Sequence, residues 1–237
     1  MTLCAAASAE DRLAALLPPE EMRDGKSLDL VVKQRSRYAS TLEPGRNVDR
    51  IDIEFTAFEW AGEVFRPSAT ILLPASAAGL YAGAGVVVSD PFGFNDAKSD
   101  RRFVEAAALM GIPALMIGPP NPGARFGIRG EGNVMGHAQN RFLETGDPRW
   151  IGYAWLAKTM LRAITSLQAM EGVSARRFVV SGGSKRGEAS WIAAAADDRI
   201  VGAYPTGWNA GNMRSWLALK AERWGLEYEA RPGADTI

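Results

Sequence analysis

The sequence predicts an α/β fold, with a mostly parallel sheet and helices on both faces. From residue 84 onward, short apolar segments alternate with helical patterns, which is the order typical of parallel βαβ units. Before residue 84, apolar and polar residues alternate, as in an antiparallel hairpin. The composition, 47% hydrophobic and 23% charged, is ordinary for a globular domain. We therefore expect one α/β domain over residues 1–237.

Charge and composition exclude several classes of function. The 27 basic residues balance 27 acidic ones, so no electrostatic footprint for nucleic acid is present. No apolar stretch approaches the roughly 20 residues that span a bilayer. The single cysteine, Cys4, and the single histidine, His137, cannot supply a zinc site of nitrogen and sulfur ligands. We expect no metal, no cofactor, no nucleic-acid partner and no membrane span, and a small-molecule substrate.

The N-terminal residues allow two interpretations. Ala7-Ser8-Ala9 has the small-x-small pattern of a signal-peptidase site, but no charged or long apolar region precedes it. The same residues could instead form the N-cap of a helix from Glu10 to Leu17, stopped by Pro18-Pro19. The first interpretation implies export to the periplasm or the extracellular space, and the second a cytoplasmic protein.

Residues 48–60 predict the first strand of the core. Ile51, Ile53 and Phe55 alternate with polar residues, as in a half-buried strand. A turn at residues 61–63 and a returning strand, 64–73, complete an antiparallel hairpin.

The remaining elements follow from apolar runs and from the glycines and prolines between them. Val86–Val88 is a β-branched run typical of a strand buried on both faces. The glycine- and asparagine-rich stretch 118–146 is expected to be irregular, and Asp147-Pro148 is expected to open a long helix that ends near Gly172. The other predicted elements are a loop at 89–95, a helix at 98–110, a strand at 114–117, a strand at 178–180, a helix at 185–196 and a strand at 200–204.

The segment from Val179 to Gly187 (VVSGGSKRG) runs from a predicted strand directly into a helix. Its glycines and serine are similar to the G-x-S-x-G motif of the nucleophile elbow in α/β-hydrolases, although Arg186 occupies the position where the second glycine is usual. Small residues are needed because strand and helix cross closely there. Ser184 is therefore the candidate nucleophile, and the backbone N–H of Lys185 the first oxyanion donor. A glycine-rich turn without chemistry, or a phosphate-binding turn, is the alternative.

Further site residues are expected at the same sheet edge. The second oxyanion donor of this fold comes from the loop at 89–95, where Phe92 or Gly93 can supply an N–H and Pro91 cannot. Arg186 is a candidate for binding an anionic substrate, or for pairing with a surface carboxylate. Trp208 follows the last predicted strand and is expected to form one wall of the substrate pocket.

Several segments resemble one family. Residues 178–187 (FVVSGGSKRG), Trp191 and residues 198–201 (DRIV) are similar to the PhoPQ-activated pathogenicity-related protein family. Residues 141–150 (RFLETGDPRW), 212–214 (NMR) and Trp224-Gly225 extend the match. The resemblance implies an α/β-hydrolase fold and a serine nucleophile at Ser184, but little about the substrate.

The expected catalytic triad is incomplete. Chain order in this fold is nucleophile, acid, histidine, yet no histidine follows Ser184. His137 precedes it, and a lone loop histidine is more often a packing residue than a base. Three explanations stay open: a chain lacking its C-terminal strands, which the loop-like end at 231–237 favours, a pseudo-enzyme, or an unorthodox base such as a carboxylate.

The sequence thus predicts a serine hydrolase acting on carboxylic esters. The alternative is a catalytically inactive α/β-hydrolase-like binding module. Nucleotide binding ranks last, because the glycines at 130–136 follow no predicted strand and open no predicted helix. Asp197-Asp198 lies at the far end of the helix that follows Ser184. We expect it to form a helix cap or a turn rather than to act in catalysis.

Overall fold

The computed structural model describes residues 8–60, 63–74, 83–118 and 131–207, with residues 215, 218, 219 and 222. Seven strands form one sheet in the order β1-β2-β5-β7-β6-β8-β9, and β3 and β4 form a separate two-stranded ribbon. The strands are β1 (Val31–Ala39), β2 (Asn47–Glu54), β3 (Phe58–Trp60), β4 (Glu63–Phe65), β5 (Ser68–Leu73), β6 (Ala84–Ser89), β7 (Ala114–Ile117), β8 (Arg177–Gly183) and β9 (Ile200–Thr206). The α-helices are α1 (Ala9–Leu16), α2 (Pro19–Arg23), α3 (Arg101–Leu109), α4 (Glu131–Thr145), α5 (Gly152–Gln168) and α6 (Lys185–Ala196).

The sheet is mostly parallel. β7, β6, β8 and β9 are joined by parallel pairing. β5 is antiparallel to both β7 and β2, so β2 runs in the same direction as the parallel strands. Only β1 and β5 run in the opposite direction. This arrangement confirms the predicted α/β fold class.

The central strands are buried on both faces, as the β-branched run at 86–88 predicted. Val87 and Leu115 belong to one apolar core, which also contains the buried residues of α5 and α6. Val88 and Met116 point to a second core, packed against α3. The helices therefore lie on both sides of the sheet, and α6 is held directly against β8 and β9.

The predicted hairpin is present, with a break in each arm. Ile51 of β2 pairs with Ile71 of β5, while the outer parts of the two arms form the β3–β4 ribbon; residues 61 and 62 of the predicted turn lie outside the described residues. The edge strand β1 was not predicted, because most of its side chains are polar or exposed and it lacks an apolar alternation.

Ser8 is the N-cap of α1. Its hydroxyl accepts the N–H of Asp11 at 3.0 Å, and the Asp11 carboxylate accepts the Ser8 N–H at 3.1 Å. These reciprocal bonds form a capping box, which agrees with the N-cap interpretation of this segment.

Two predictions about residues 118–172 are wrong. Residues 131–145 form α4 instead of irregular chain, because Val134, Met135 and Ala138 pack into the core and outweigh the weak helix propensity of the glycines and asparagines. The glycines at 132 and 136 therefore lie within a helix, and His137 is helical. Asp147 accepts the Arg149 N–H and opens only a 3-10 turn, Pro148–Trp150; the extended backbone of Ile151 separates that turn from α5.

Candidate active site

Ser184 joins β8 to α6 in a backbone conformation that serine rarely adopts. Its φ is 53° and its ψ is −122°, and Asp29 is the one other described non-glycine residue with positive φ. The Ser184 N–H donates to the carbonyl of Thr206 at 2.8 Å, and the Ser184 carbonyl accepts the N–H of Gly187 at 2.8 Å. Such conformations cost about 1–3 kcal/mol and persist where the surroundings enforce them. These two bonds hold the serine in a strained turn.

The glycine two residues before Ser184 is required by the crossing of strand and helix. A Cβ at Gly182 would lie 2.5 Å from the Cβ of Arg186 and 2.9 Å from its carbonyl carbon. No side chain fits at that separation, since real Cβ atoms do not approach so closely. The junction of β8 and α6 thus has the close approach that the sequence pattern predicted.

Ser184 is exposed and lines a cleft of about 440 Å³ at the carboxyl ends of β6, β8 and β9. We call this the Ser184 cleft. The neighbouring serine of β8, Ser181, also lines it, but its hydroxyl donates to the carbonyl of Tyr204 at 2.7 Å. The other described lining residues are Val88, Ser89, Asp90, Pro91, Phe92, Lys98, Asp100, Phe103, Gly182, Gly183, Lys185, Arg186, Thr206 and Gly207.

The predicted oxyanion donors have different surroundings. Lys185 is the first residue of α6 and lines the cleft, where the positive end of the helix dipole favours negative charge. The N–H groups of Phe92 and Gly93 both donate to one carboxylate oxygen of Asp90, at 2.8 and 3.2 Å, and Gly93 does not line the cleft. The buried Asp90 carboxylate thus already accepts both amides that were expected to face the substrate, and their role as oxyanion donors stays a prediction.

Asp90 organises the loop opposite Ser184. Its second carboxylate oxygen accepts the N–H of Asp100 at 3.0 Å, so three backbone donors surround one buried side chain. These donors occupy three of the roughly four lone-pair positions of the carboxylate. Asp100 also lines the cleft, and its own side chain is exposed and makes no cap bond.

The remaining candidate residues lie in different parts of the structure. His137 lies in α4, where its ring contacts Trp150 edge-on at 5.7 Å, and it is not among the residues that line the Ser184 cleft. Arg186 lines the cleft and is 3% exposed, so it does not lie at the surface as one of its two expected roles assumed. Trp208 lies outside the described residues.

Sequence reasoning missed Glu188, one turn into α6 from Ser184. Burial raises the pKa of Glu188, and a hydrogen bond from Tyr153 offsets part of that rise. Its Oε2 atom is buried and has no hydrogen-bond partner among the described residues. The acidic residue four positions after the serine was the available signal, but its burial depends on the packing of α6 against α5.

Neither a metal centre nor a membrane-spanning helix occurs in the part of the chain that the structure describes. No three His, Cys, Asp or Glu residues there are grouped so that they could hold a metal ion. None of the helices there is both long and apolar enough to cross a bilayer.

Comparison with solved structures identifies the fold. An acetyl xylan esterase from Paenibacillus sp. R4 superimposes with a TM-score of 0.55 and 16% identity, covering 96% of this chain and 71% of the other. A glucuronoyl esterase from Solibacter usitatus gives a TM-score of 0.52 and 20% identity, covering 95% and 69%. Both are α/β-hydrolase esterases. At these identities the likeness establishes the α/β-hydrolase fold.

Sequence comparison identifies the family. The autocrine proliferation repressor protein A of Dictyostelium discoideum is 28% identical over 81 residues, which are 32% of this chain and 16% of that protein. The model of the PhoPQ-activated pathogenicity-related proteins matches residues 99–231, more than half of the chain and the whole elbow. The chain therefore belongs to the PhoPQ-activated pathogenicity-related protein family.

Proposed function

We propose that the protein is a serine hydrolase that cleaves carboxylic esters through acylation of Ser184. The observation that carries this proposal is the conformation and position of Ser184: a left-handed φ of 53°, at a strand-to-helix junction, exposed in a cleft. A serine held this way presents its hydroxyl at the helix N-terminus, as in the nucleophile elbow. The likeness to esterase folds supports the same reaction class.

In the proposed reaction, the Ser184 Oγ attacks the ester carbonyl carbon. The carbonyl oxygen becomes an oxyanion, which the backbone N–H of Lys185 stabilises. The C–O bond to the alcohol then breaks, leaving an acyl-serine that water hydrolyses to the free acid. A base takes the Oγ proton and returns it to the alcohol oxygen. If a cleft carboxylate serves as that base, Asp100 is better suited than Asp90, whose oxygens already accept three N–H groups.

A fluorophosphonate probe tests the nucleophile. We expect the probe to label the protein and Ser184→Ala to abolish labelling. Ser181→Ala is the matched control, because that serine lines the same cleft but donates its hydroxyl to Tyr204. Labelling should survive in the control. Equal labelling of the wild-type protein and Ser184→Ala would rule out Ser184 as the nucleophile.

A second candidate function is a binding module that retains the fold without turnover. The position of His137 favours it, because the sole histidine of the chain packs against Trp150 and does not line the Ser184 cleft. A folded protein that is thermally stabilised by an ester analogue, but neither reacts with the fluorophosphonate nor hydrolyses aryl esters, would support this alternative.

A further inference from the structure

A second concavity lies away from the Ser184 cleft, between α1, β3, the end of α4 and the start of α5. Its volume is about 780 Å³, and none of its described lining residues belongs to the Ser184 cleft. We call it the Trp155 groove. Concavities of roughly 300–1,000 Å³ are the usual size of small-molecule sites.

The walls of the groove are mainly apolar. The rings of Phe58 and Trp155 lie nearly parallel, with centroids 6.5 Å apart, and Ile151 and Leu16 extend this surface. The indole Nε1 of Trp155 donates to the carbonyl of Arg149 at 2.8 Å. Trp155 and Phe58 are 6% and 5% exposed and belong to the apolar core, so they form the floor of the groove rather than an open surface.

Positive charge predominates in the same lining. Arg12, Arg149 and Lys158 line the groove, and Glu59 is the one acidic residue among its described lining residues. Arg149 is ion-paired with Asp147 at 2.6 Å and lies mostly in solvent. Lys158 differs, because its side chain is only 19% exposed.

Lys158 is the group best suited to hold an anion. The carboxylate that the structure places near its Nζ is that of Glu21, at 3.9 Å, which is beyond hydrogen-bonding distance. At that distance Glu21 forms an ion pair with Lys158 but accepts no hydrogen bond from it. The groove therefore combines a largely buried cation, which is ion-paired with Glu21, with an apolar lining whose described residues include three basic residues and one acidic residue.

We propose that the Trp155 groove binds an amphipathic carboxylate, a carboxylic acid with a short aliphatic chain. The carboxylate accepts a hydrogen bond from Lys158, and the chain lies along the half-buried side chains of Leu16 and Ile151. This proposal is independent of the reaction assigned to Ser184.

Calorimetric titration with sodium octanoate and with the uncharged 1-octanol tests both parts of the ligand. We expect octanoate to bind and octanol to bind at least tenfold more weakly. Across butanoate, hexanoate and octanoate, affinity should rise about fourfold for each added methylene, the value expected for burial of CH₂ groups. Equal binding of octanoate and octanol, or no dependence on chain length, would overturn the proposal.

Variants locate the site. Lys158→Met should weaken octanoate binding more than tenfold, Lys158→Arg should retain binding within about threefold, and Ser184→Ala should bind as the wild type. Lys33→Met is the matched control, because Lys33 is a half-exposed lysine of β1 paired with Glu54. Circular dichroism verifies that each variant is folded. Unchanged binding in folded Lys158→Met, or binding of an acidic amphipathic peptide without binding of octanoate, contradicts this ligand class.

Discussion

The two ends of helix α6 differ in backbone strain and in whether their polar side chains have hydrogen-bond partners. At the N-terminus, Ser184 is exposed with a positive φ, and Glu188 holds a buried carboxylate oxygen without a hydrogen-bond partner among the described residues. At the C-terminus, Asp197 is 4% exposed and accepts hydrogen bonds from Arg199 and Arg23. One end of a single helix is strained, and the other is fully paired.

The difference supports the proposal that the Ser184 end of α6 carries the chemistry. Strain and unsatisfied polar groups lower stability, so they persist mainly where the surroundings enforce them and function uses them. The Asp197 end has neither, and it anchors α6 to β9 and to the N-terminal helix α2. We infer that the paired end helps to stabilise the conformation of the strained end.

The largest effect is expected at the paired end. Burial alone would raise the pKa of Asp197, but Arg199 and Arg23 outweigh it and hold the pKa below its ordinary value. Asp197→Asn should lower the free energy of unfolding by about 3 kcal/mol at pH 7, because it leaves the nearly buried Arg199 without its counter-charge. Urea denaturation measures this loss.

The sign of the pH dependence follows from the lowered pKa. The stabilisation from Asp197 is complete above the pKa of the unfolded carboxyl and is lost as the pH falls through the lower folded value. Asp198→Asn is the control, since that side chain is 85% exposed. A similar loss in both variants would show that the buried pair is not what stabilises this end.

The next effect concerns the close crossing at the elbow. Gly182→Ala should destabilise the protein by about 2 kcal/mol, because the new methyl group overlaps Arg186, and phosphonate labelling should fall more than tenfold. Gly136→Ala is the control: Gly136 lies in α4 with open space around its Cβ position, and alanine favours helix. A Gly182→Ala protein that keeps wild-type stability and labelling would contradict the tight elbow.

Relief of the backbone strain at residue 184 is expected to change stability less than the two substitutions above. Ser184→Gly should be about 1 kcal/mol more stable than Ser184→Ala, because glycine adopts positive φ without a Cβ clash. Both variants lack the hydroxyl, so the difference between their free energies of unfolding reports on the backbone conformation. Thermal unfolding of the pair measures it, and equal melting temperatures would argue against a strained turn.

The smallest expected effect is a change in the pH dependence of protein stability when Glu188 is replaced. Because burial raises its pKa in the folded protein, the protein loses stability as the pH rises from the unfolded pKa through the folded one. Glu188→Gln should remove that decline and be more stable than the wild type at pH 8. Melting temperatures from pH 4 to pH 8 test this, and parallel profiles for the two proteins would refute it.

Local sequence patterns predicted much of the fold and the serine at the junction of β8 and α6 on which the proposed function depends. The strand at 114–117 and the helix at 185–196 were predicted at their observed bounds, because apolar runs and glycine breaks are local signals. Ser184 could be singled out for the same reason. The sequence did not reveal β1, whose side chains are largely exposed, or α4, whose helix depends on packing of Val134 and Met135.

Side-chain partners distant in the sequence could not be predicted. Arg162 lies in the middle of α5 and is 2% exposed, yet it donates to the backbone carbonyls of Glu21 and Asp24 and to the Ser27 hydroxyl. Asp90 likewise accepts amides that the sequence assigned to the substrate. Such contacts exist only after folding brings the segments together.

The sequence by itself determined the alternation of strands and helices, the glycine–serine turn between β8 and α6, and the family, because these depend on residues near one another in the chain. Only the tertiary structure decided that Ser184 is exposed above a cleft, that His137 lies away from it, and that Lys158 is largely buried beside an aromatic groove. The physical reason is that burial and hydrogen-bond partners depend on which surfaces meet, and surfaces meet through packing between distant segments.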